Sequence, residues 1–265
     1  MQILTIGEIL WDVFDHAEYL GGAPLNFSAA VQRLGNSVAL VTGLGDDERG
    51  KSALRSMTAL GLSTDFVQVL SSAAPVPGGG GACAYAGALG MALGSMVGNL
   101  TLGKKKYEAV QEDIKIILEK AAGLQRDLLA LVEKDAEVFE PLSKAYGLPK
   151  NTEEEKKKKE EIMEQALKAA CSVPLEIMEK SFEAIKLHEE LGQKGTRIAI
   201  SDVGVGVAFC KAALMGGSLN VFINTQSMKD RPYAENINRK AEQLLAEGIG
   251  KADKVYREVE QGIRK

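Results

Sequence analysis

Two aspartates stand where a carboxylate could move protons during a reaction. Asp135 lies between Val132 and Val138 in a segment with helical spacing, and Asp202 follows Ser201 at the predicted start of another helix. A positioned carboxylate is a common general acid or base. Each aspartate also has an ordinary structural interpretation. Asp135 could be a solvent-facing helical residue, and Asp202 could be an acid that stabilises a helix N-terminus.

A second set of residues could bind a polar or anionic ligand. The glycine run 78–81 leads into a predicted helix, and the free N–H groups of a helix N-terminus attract anions. The competing interpretation of this run is a turn that permits close helix packing. Lysines follow the same helix, and single asparagines lie in or beside apolar segments. The candidate binding residues are Gly78, Gly79, Gly80, Asn99, Lys104, Lys106, Asn220 and Asn224.

Composition excludes several classes of protein. The 265 residues are 45% hydrophobic and 26% charged, with a net charge of −4. These values are ordinary for a globular chain and indicate no nucleic-acid or anionic-membrane partner. Cys83, Cys171 and Cys210 are widely spaced and only two histidines occur, so we expect no structural zinc site. We expect His188 on a helix surface. The cysteine usage and an N-terminus without a basic region predict a cytoplasmic protein.

Residues 66–103 contain no charged side chain, and 82–102 is apolar enough to resemble a membrane span. Gly90, Gly94 and Gly98 recur every four residues on one face of the predicted helix. This spacing lets two helix backbones approach closely. Since four glycines and three polar residues interrupt the run, the sequence favours a buried helix over a membrane span.

The first sixty residues alternate between predicted strands and helices. Apolar runs at 3–6 and 38–41 are typical of buried strands, while 26–34 and 51–60 have helical spacing and end at glycines. Residues 11–19 are predicted to be irregular. Because the connections are short, this order predicts parallel pairing of the strands.

Three motifs in this part resemble ribokinase-like (PfkB) sugar kinases, fructokinases in particular. They are WDVFD at 11–15, GGAPLNFSAAVQRLG at 21–35 and TGLGDDERG at 42–50, and the likeness covers about residues 1–69. The resemblance implies that Asp12, Gly22 and Asn26 would hold sugar hydroxyls. The family's later Gly-Ala-Gly-Asp motif, which carries its catalytic base, does not follow residue 70. The segment therefore resembles a truncated kinase.

The rest of the chain is predicted to be helical. Helical spacing covers 82–102, 114–146 and 162–177, with Pro174 expected to interrupt the third helix. Further helices are expected at 201–215 and 230–261, with 219–223 as a short apolar run between turns.

Three motifs here resemble a second family, the cyclodeaminase domain of formiminotransferase-cyclodeaminase and the related methenyltetrahydrofolate cyclohydrolases. They are PVPGGGGACAYAGALGMALGSMVGNLTLGKKKY at 75–107, LVEKDAEVF at 131–139 and SDVGVGVAFCKAALMGGSLNVFINT at 201–225. The resemblance covers residues 64–265 and implies an all-helical bundle. The predicted fold is thus mainly α, with a truncated α/β segment at 1–63 and a helical domain at 64–265.

This resemblance implies a folate one-carbon enzyme. It would convert 5-formimino-tetrahydrofolate to 5,10-methenyl-tetrahydrofolate and ammonia, or interconvert the 5,10-methenyl and 10-formyl forms. Asp135 and Asp202 would be catalytic, and the binding residues named above would hold pterin and glutamate groups. We expect no metal and no cofactor other than the tetrahydrofolate substrate. We expect the protein to form a homodimer or a higher homo-oligomer. The alternatives are a sugar kinase and a non-catalytic folate-binding or helical partner subunit.

Overall fold

The structure, a computed structural model, describes residues 2–6, 10–14, 17–21, 37–41 and 66–264. Its contacts divide the chain into two compact units, Met1–Ser72 and Ala73–Lys265. The division between residues 63 and 64 that the sequence suggests stays a prediction.

The first unit contains four short strands and one short helix among its described residues. They are β1 (Gln2–Ile6), β2 (Leu10–Phe14), β3 (Ala17–Gly21), β4 (Ser37–Val41) and α1 (Phe66–Leu70). β1 pairs with β4 in parallel, with Ile3 opposite Val38, which confirms the predicted parallel pairing. The segments 26–34 and 51–60, predicted to be helical, lie outside the described residues, as do Gly22 and Asn26.

The prediction of an irregular segment at 11–19 is wrong. β2 and β3 form an antiparallel pair in which Asp12 lies opposite Tyr19. Aromatic and β-branched residues such as Trp11 and Val13 favour an extended backbone. This preference outweighs the nearby acids, which had suggested a loop.

The second unit is a bundle of five long helices, which confirms the mainly α fold class. The helices are α2 (Gly79–Thr101), α3 (Gln111–Tyr146), α4 (Glu153–Lys194), α5 (Ile200–Gln226) and α6 (Arg231–Ile263). Short 3-10 helices at Lys105–Val110 and Arg197–Ala199 precede α3 and α5.

α4 begins with a capping box, which satisfies two backbone donors at its N-terminus. The Thr152 hydroxyl accepts from the Glu155 N–H at 3.1 Å. In return, the Glu155 carboxylate accepts from the Thr152 N–H at 3.2 Å.

α5 is one continuous helix, so the predicted stop at Met215 is wrong. Gly216 and Gly217 lie within it because each occupies a place where a side chain would collide. A Cβ at Gly216 would lie 2.3 Å from Cys83 Sγ, and one at Gly217 would lie 3.0 Å from Met178 Cγ. Helix packing therefore outweighs the low helix propensity of two consecutive glycines.

α4 likewise continues through Pro174, where the sequence suggested an interruption. A proline has no N–H, so the carbonyl of Ala170, four residues earlier, loses its usual helical donor. The side chain of Asn224 on α5 supplies one, since its Nδ2 donates to this carbonyl at 3.2 Å. The neighbouring helix thus completes the hydrogen bonding that the proline removes.

α2 and α5 run antiparallel and touch through small residues. A Cβ at Gly90 would lie 2.6 Å from Cys210 Sγ and 2.7 Å from the carbonyl oxygen of Gly206. Further along, a Cβ at Gly79 would lie 3.4 Å from Asn220 Oδ1. The glycine pattern therefore does what its spacing predicts, because it brings two helix backbones together.

His188 on α4 is buried beside this contact, so its predicted surface position is wrong. The residue is 0% exposed, and its Nδ1 lies 2.8 Å from the carbonyl oxygen of Ala184. Space for the ring exists because position 206 is a glycine, where a Cβ would lie 2.2 Å from His188 Nε2. Burial lowers the pKa of this histidine. The side chain therefore belongs to the core and is neutral near pH 7.

Two helical spans are long and apolar enough, by length and composition, to cross a membrane. They are α2 and the span Arg197–Gln226, and in their most apolar windows 50% and 44% of the residues are buried inside the protein. About half of each window therefore packs inside the bundle.

Candidate functional site

A cleft of about 170 Å³ lies at the end of the bundle where α2 begins and α5 ends. The loop before α2, the last third of α3, the middle of α4 and the last turns of α5 supply its walls. Asp135 is the ionisable residue among the described residues that line it. The other lining residues are Pro75, Val76, Gly78, Gly79, Gly80, Val138, Phe139, Ala170, Pro174, Asn220, Ile223 and Asn224.

The first turn of α2 holds the Asp135 carboxylate. The N–H of Gly81 donates to Asp135 Oδ2 at 2.9 Å. A Cβ at Gly80 would lie only 2.1 Å from Asp135 Oδ1, so any side chain there would displace the carboxylate. Burial raises the pKa of Asp135, and the hydrogen bond from Gly81 partly opposes that rise. The carboxyl is thus poised to accept and return a proton closer to neutral pH than a solvent-exposed aspartate.

Cys83 lies behind this carboxylate and was missed by reasoning from the sequence. Burial, and next the negative charge of Asp135, raise the pKa of its thiol to about 11. The thiol is therefore protonated at neutral pH and is no nucleophile. Cys83 follows Gly80 by three residues, so the two lie on the same side of α2. This spacing could have indicated from the sequence that Cys83 lies close to the site.

Two predicted binding amides reach the cleft from α5. Asn220 Nδ2 donates to the carbonyl of Gly216 at 3.0 Å, and Asn224 Nδ2 donates to Ala170 at 3.2 Å. Each amide is therefore held in one orientation by the backbone. The structure thus brings together Asp135, the three predicted glycines and both asparagines of α5.

Asp202 lies elsewhere, in the first turn of α5, whereas Asn220 lies near the end of that helix. A helix rises about 1.5 Å per residue, so the two residues are about 27 Å apart along its axis. Asn99 is exposed near the end of α2. The same rise places it about 30 Å from Gly79. Neither Asp202 nor Asn99 reaches the Asp135 cleft of its own chain.

The two predicted lysines follow Asn99 at this opposite end. Lys104 Nζ donates to Thr196 Oγ1 at 3.3 Å, and Lys106 Nζ lies 5.9 Å from the ring centre of Tyr107. Lys106 is exposed. The predicted site residues thus separate into two groups at opposite ends of the bundle.

In the part of the chain that the structure describes, no group of three or more His, Cys, Asp or Glu residues could hold a metal ion. Asp135 stands alone among ionisable residues in the cleft lining of those described residues. The arrangement offers a half-buried carboxylate, oriented amides and helix N–H groups, which suit proton transfer to a bound polar molecule.

The amino-acid sequence and the fold were compared with those of known proteins. The family model described as formiminotransferase-cyclodeaminase matches residues 63–243. The chain belongs to this family. It is 44% identical over 198 residues to a methenyltetrahydrofolate cyclohydrolase of Methylorubrum extorquens, covering 75% of this chain and 95% of that protein. It is 31% identical over 182 residues to the formimidoyltransferase-cyclodeaminase of Rattus norvegicus, and this match covers 69% of this chain but 34% of that protein.

A solved structure has the same fold. The formiminotetrahydrofolate cyclodeaminase of Thermotoga maritima matches with a TM-score of 0.68 and 30% identity, covering 76% of this chain and 98% of that one. The family model for pfkB family carbohydrate kinases matches residues 7–75. Both resemblances seen in the sequence are confirmed, the kinase-like one at the N-terminus and the cyclodeaminase-like one over the helical unit.

Proposed function

We propose that the protein is a folate one-carbon enzyme whose main reaction is hydrolysis of 5,10-methenyl-tetrahydrofolate to 10-formyl-tetrahydrofolate. The observation that carries this proposal is the half-buried Asp135 carboxylate with its raised pKa, in a cleft lined by amides and glycines. The 44% identity across 95% of a cyclohydrolase supports hydrolysis over deamination.

Hydrolysis asks for two proton transfers at Asp135 and one to the solvent. Water adds to the methenyl carbon, and Asp135 takes the proton that the water loses as the carbon–oxygen bond forms. The bond from this carbon to N5 of the folate then breaks as the same carboxyl returns its proton to N5, and the remaining hydroxyl proton passes to the solvent as the formyl carbonyl forms. A carboxyl with a raised pKa suits both steps, because it is a stronger base than an exposed aspartate and still a usable acid.

The remaining cleft residues orient the substrate in this proposal. Phe139 and Ile223 provide apolar surface for a planar ring, and Asn220 and Asn224 present amide groups to the polar edge of a pterin. The Gly81 N–H fixes the Asp135 carboxylate in one rotamer. Such orientation is worth much in catalysis, because reacting atoms must meet within about 3–3.5 Å.

Cyclodeamination of 5-formimino-tetrahydrofolate is the second candidate, supported by the Thermotoga maritima structure and the rat relative. In this reaction N10 adds to the carbon of the protonated formimino group and loses its proton to Asp135, which gives a tetrahedral carbon that carries N5, N10 and an amino group, and ammonia then leaves from this carbon. Asp135 would give a proton to the leaving nitrogen. The cleft chemistry serves both reactions.

The test follows the methenyl absorbance of the full-length protein with each folate in turn. A fall with 5,10-methenyl-tetrahydrofolate indicates the cyclohydrolase, and a rise with 5-formimino-tetrahydrofolate indicates the cyclodeaminase. Asp135→Asn should lower turnover about 10²- to 10⁴-fold, the usual contribution of a general acid or base, with the fold retained. Folate binding without either change would instead support the non-catalytic module.

A matched control lies on the same helix. Asp127 is paired with Lys180 at 2.5 Å, outside the cleft, so Asp127→Asn should keep near-normal turnover. Equal turnover in the Asp135→Asn and wild-type proteins would contradict the acid–base role.

We further propose that the enzyme is cytoplasmic, works as a homo-oligomer and needs neither metal nor redox cofactor. The last point follows from the chemistry, since both candidate reactions consist of additions, eliminations and proton transfers. Dialysis against a chelator should therefore leave turnover unchanged, and loss that zinc or magnesium restores would contradict it.

A further inference from the structure

Both asparagines of the cleft hold their amide nitrogen against the protein backbone. Asn220 Nδ2 donates to the Gly216 carbonyl at 3.0 Å, and Asn224 Nδ2 donates to the Ala170 carbonyl at 3.2 Å. Both side chains are half-buried, and among the described residues no protein donor bonds to either Oδ1. In an amide the oxygen points away from the group that the nitrogen faces, so each asparagine has an acceptor left for a ligand.

Pro174 creates the second of these contacts. A proline has no N–H, so the carbonyl four residues earlier in a helix has no backbone donor. In α4 that carbonyl belongs to Ala170, which is buried and accepts from Asn224 instead. A buried carbonyl without a donor is unfavourable. The contact therefore keeps the Asn224 nitrogen on α4 and prevents the amide from turning over.

α4 and α5 are close together along this stretch. A Cβ at Gly217 would lie 3.3 Å from the carbonyl oxygen of Pro174. The Cys171 thiol donates to the carbonyl of Val221 at 3.6 Å. The contact of Asn224 is the next one along the two helices, which run in opposite directions here. Because this row of contacts fixes the two backbones, the orientation of Asn224 is fixed as well.

The side chains of the cleft thus offer hydrogen-bond acceptors to a ligand. Asn220 and Asp135 flank one turn of α2, since a Cβ at Gly79 would lie 3.4 Å from Asn220 Oδ1 and one at Gly80 would lie 2.1 Å from Asp135 Oδ1. Asn224 adds a third acceptor, and no other side chain among the described lining residues carries a hydrogen-bonding group. A ligand that matches this lining presents N–H groups along one edge.

We propose that the cleft selects the N–H edge of a 2-amino-4-oxopyrimidine ring, and that Pro174 is a positioning residue that fixes Asn224 as an acceptor for this edge. The inference rests on the proposed function, because the pterin of tetrahydrofolate contains this ring. Its 2-amino group and N3–H are donors, and they lie across the ring system from the carbon that reacts. With the reacting carbon at Asp135, this edge is left for the asparagines.

The first experiment changes the ligand and uses the full-length protein. Tetrahydrofolate is the probe, because it carries no one-carbon group and binds without reacting. Its analogue with a methyl group in place of the 2-amino group keeps the size of the substituent and has no donor there. Titration calorimetry should give a dissociation constant about 5- to 150-fold higher for the analogue, because an acceptor in the cleft loses its partner. This ratio is called the amino preference, and a value of 1 overturns the proposal.

Pro174→Ala tests the positioning role. Alanine at position 174 supplies a backbone N–H that competes with Asn224 for the Ala170 carbonyl. The released amide can then turn its nitrogen toward the ligand. The amino preference should fall about 2- to 13-fold, which corresponds to one net hydrogen bond. Helical circular dichroism should be retained, because alanine is the better helix former. An unchanged amino preference overturns the positioning role.

Pro141 provides the matched control. It also lies in the interior of a helix, α3, but it is exposed and does not line the cleft. Pro141→Ala should therefore keep the wild-type amino preference. An equal fall in both variants would mean that losing any helical proline loosens the bundle, and it would contradict a specific role of Pro174.

A rescue tests whether Asn224 acts as an acceptor. Aspartate has the shape of asparagine, and its ionised carboxylate only accepts hydrogen bonds. Combined with Pro174→Ala, Asn224→Asp needs no partner on α4 to turn an acceptor toward the ligand. The double variant should regain the wild-type amino preference or exceed it. A double variant with the low preference of Pro174→Ala alone overturns the assignment of Asn224.

Turnover separates this inference from the proposed function. A wild-type protein that shows the amino preference but converts neither 5,10-methenyl- nor 5-formimino-tetrahydrofolate contradicts the proposed function and leaves the selection standing. Turnover with an amino preference of 1 refutes the selection and leaves the proposed function standing. A protein that binds neither tetrahydrofolate nor its analogue contradicts both.

Discussion

Replacing Gly80 by alanine should separate activity from stability. The new Cβ would lie 2.1 Å from Asp135 Oδ1, whereas ordinary contacts begin at 3.4 Å. The carboxylate must therefore retreat by about 1.3 Å (3.4 − 2.1) to restore a normal van der Waals separation, and its hydrogen bond from Gly81 loosens. A misplacement of about 1 Å in a catalytic geometry costs about 100-fold in rate, or about 2.7 kcal/mol in the barrier.

Stability should change far less. Only the Asp135 carboxyl group must move, since its Oδ1, Cγ and Oδ2 are the atoms that the new Cβ would meet, and alanine favours a helix over glycine by about 0.5–1 kcal/mol. That gain offsets much of the weakened hydrogen bond. Gly80→Ala should thus unfold in urea within about 1 kcal/mol of the wild type while its turnover of 5,10-methenyl-tetrahydrofolate falls about 100-fold.

Gly123→Ala is the matched control. Gly123 lies inside α3 with nothing within 4 Å of a Cβ added there. Alanine should therefore stabilise the protein slightly and leave turnover unchanged. If Gly80→Ala kept wild-type turnover, the position of the Asp135 carboxylate could not matter to catalysis, and the acid–base assignment would be refuted.

Four further outcomes are expected. Because the folded-state pKa of His188 is lowered, its contribution to stability is present above the unfolded pKa and is lost as pH falls below that value. The loss begins near pH 6.5 and amounts to at most about 1.4 kcal/mol per pH unit; urea midpoints measured from pH 7.5 to 5 should show this slope, and His188→Gln should lack that share of it. Asn224→Ala leaves the Ala170 carbonyl without its side-chain donor, which should cost about 1–3 kcal/mol. Pro174→Ala should restore most of that loss in a double-mutant cycle, and additive effects would contradict the coupling. The acid limb of kcat/KM should lie above the pKa of an ordinary aspartate, about 3.9, because the pKa of Asp135 is raised. Since the folded state disfavours the charged form, Asp135→Asn should also be at least as stable as the wild type at pH 7, and a marked loss of stability would argue against that burial effect.

Local sequence patterns predicted the positions of the helices well, but they did not predict which residues pack against each helix. The apolar spacing found α2 and α3, and the glycines of α2 predicted its close contact. Gly216 and Gly217 were expected to end a helix, because nothing in the chain shows that Cys83 and Met178 fill the space beside them. Propensity acts along the chain, whereas packing comes from residues far away in sequence.

The site shows the same limit. Asp135, the glycines and the α5 asparagines were predicted individually, but their meeting depends on α2 and α5 being antiparallel. Asp202 carries an equally good motif and lies at the other end of α5, a separation that no linear pattern reveals. His188 was expected at the surface, yet Gly206 makes room for it in the core. Sequence motifs identify candidate side chains, but the direction of each helix in the bundle determines which of these side chains lie close together.

The contact between Gly90 and Cys210 has a consequence for synthesis on the ribosome. The two residues are 120 positions apart, and translation adds about 5–20 residues per second. The uncharged helix α2 therefore emerges roughly 6–24 seconds before the helix that buries it. During that interval its sequence is as apolar as a membrane segment. We expect nascent chains of this length to engage a chaperone or targeting factor, and release to follow once α5 has left the exit tunnel.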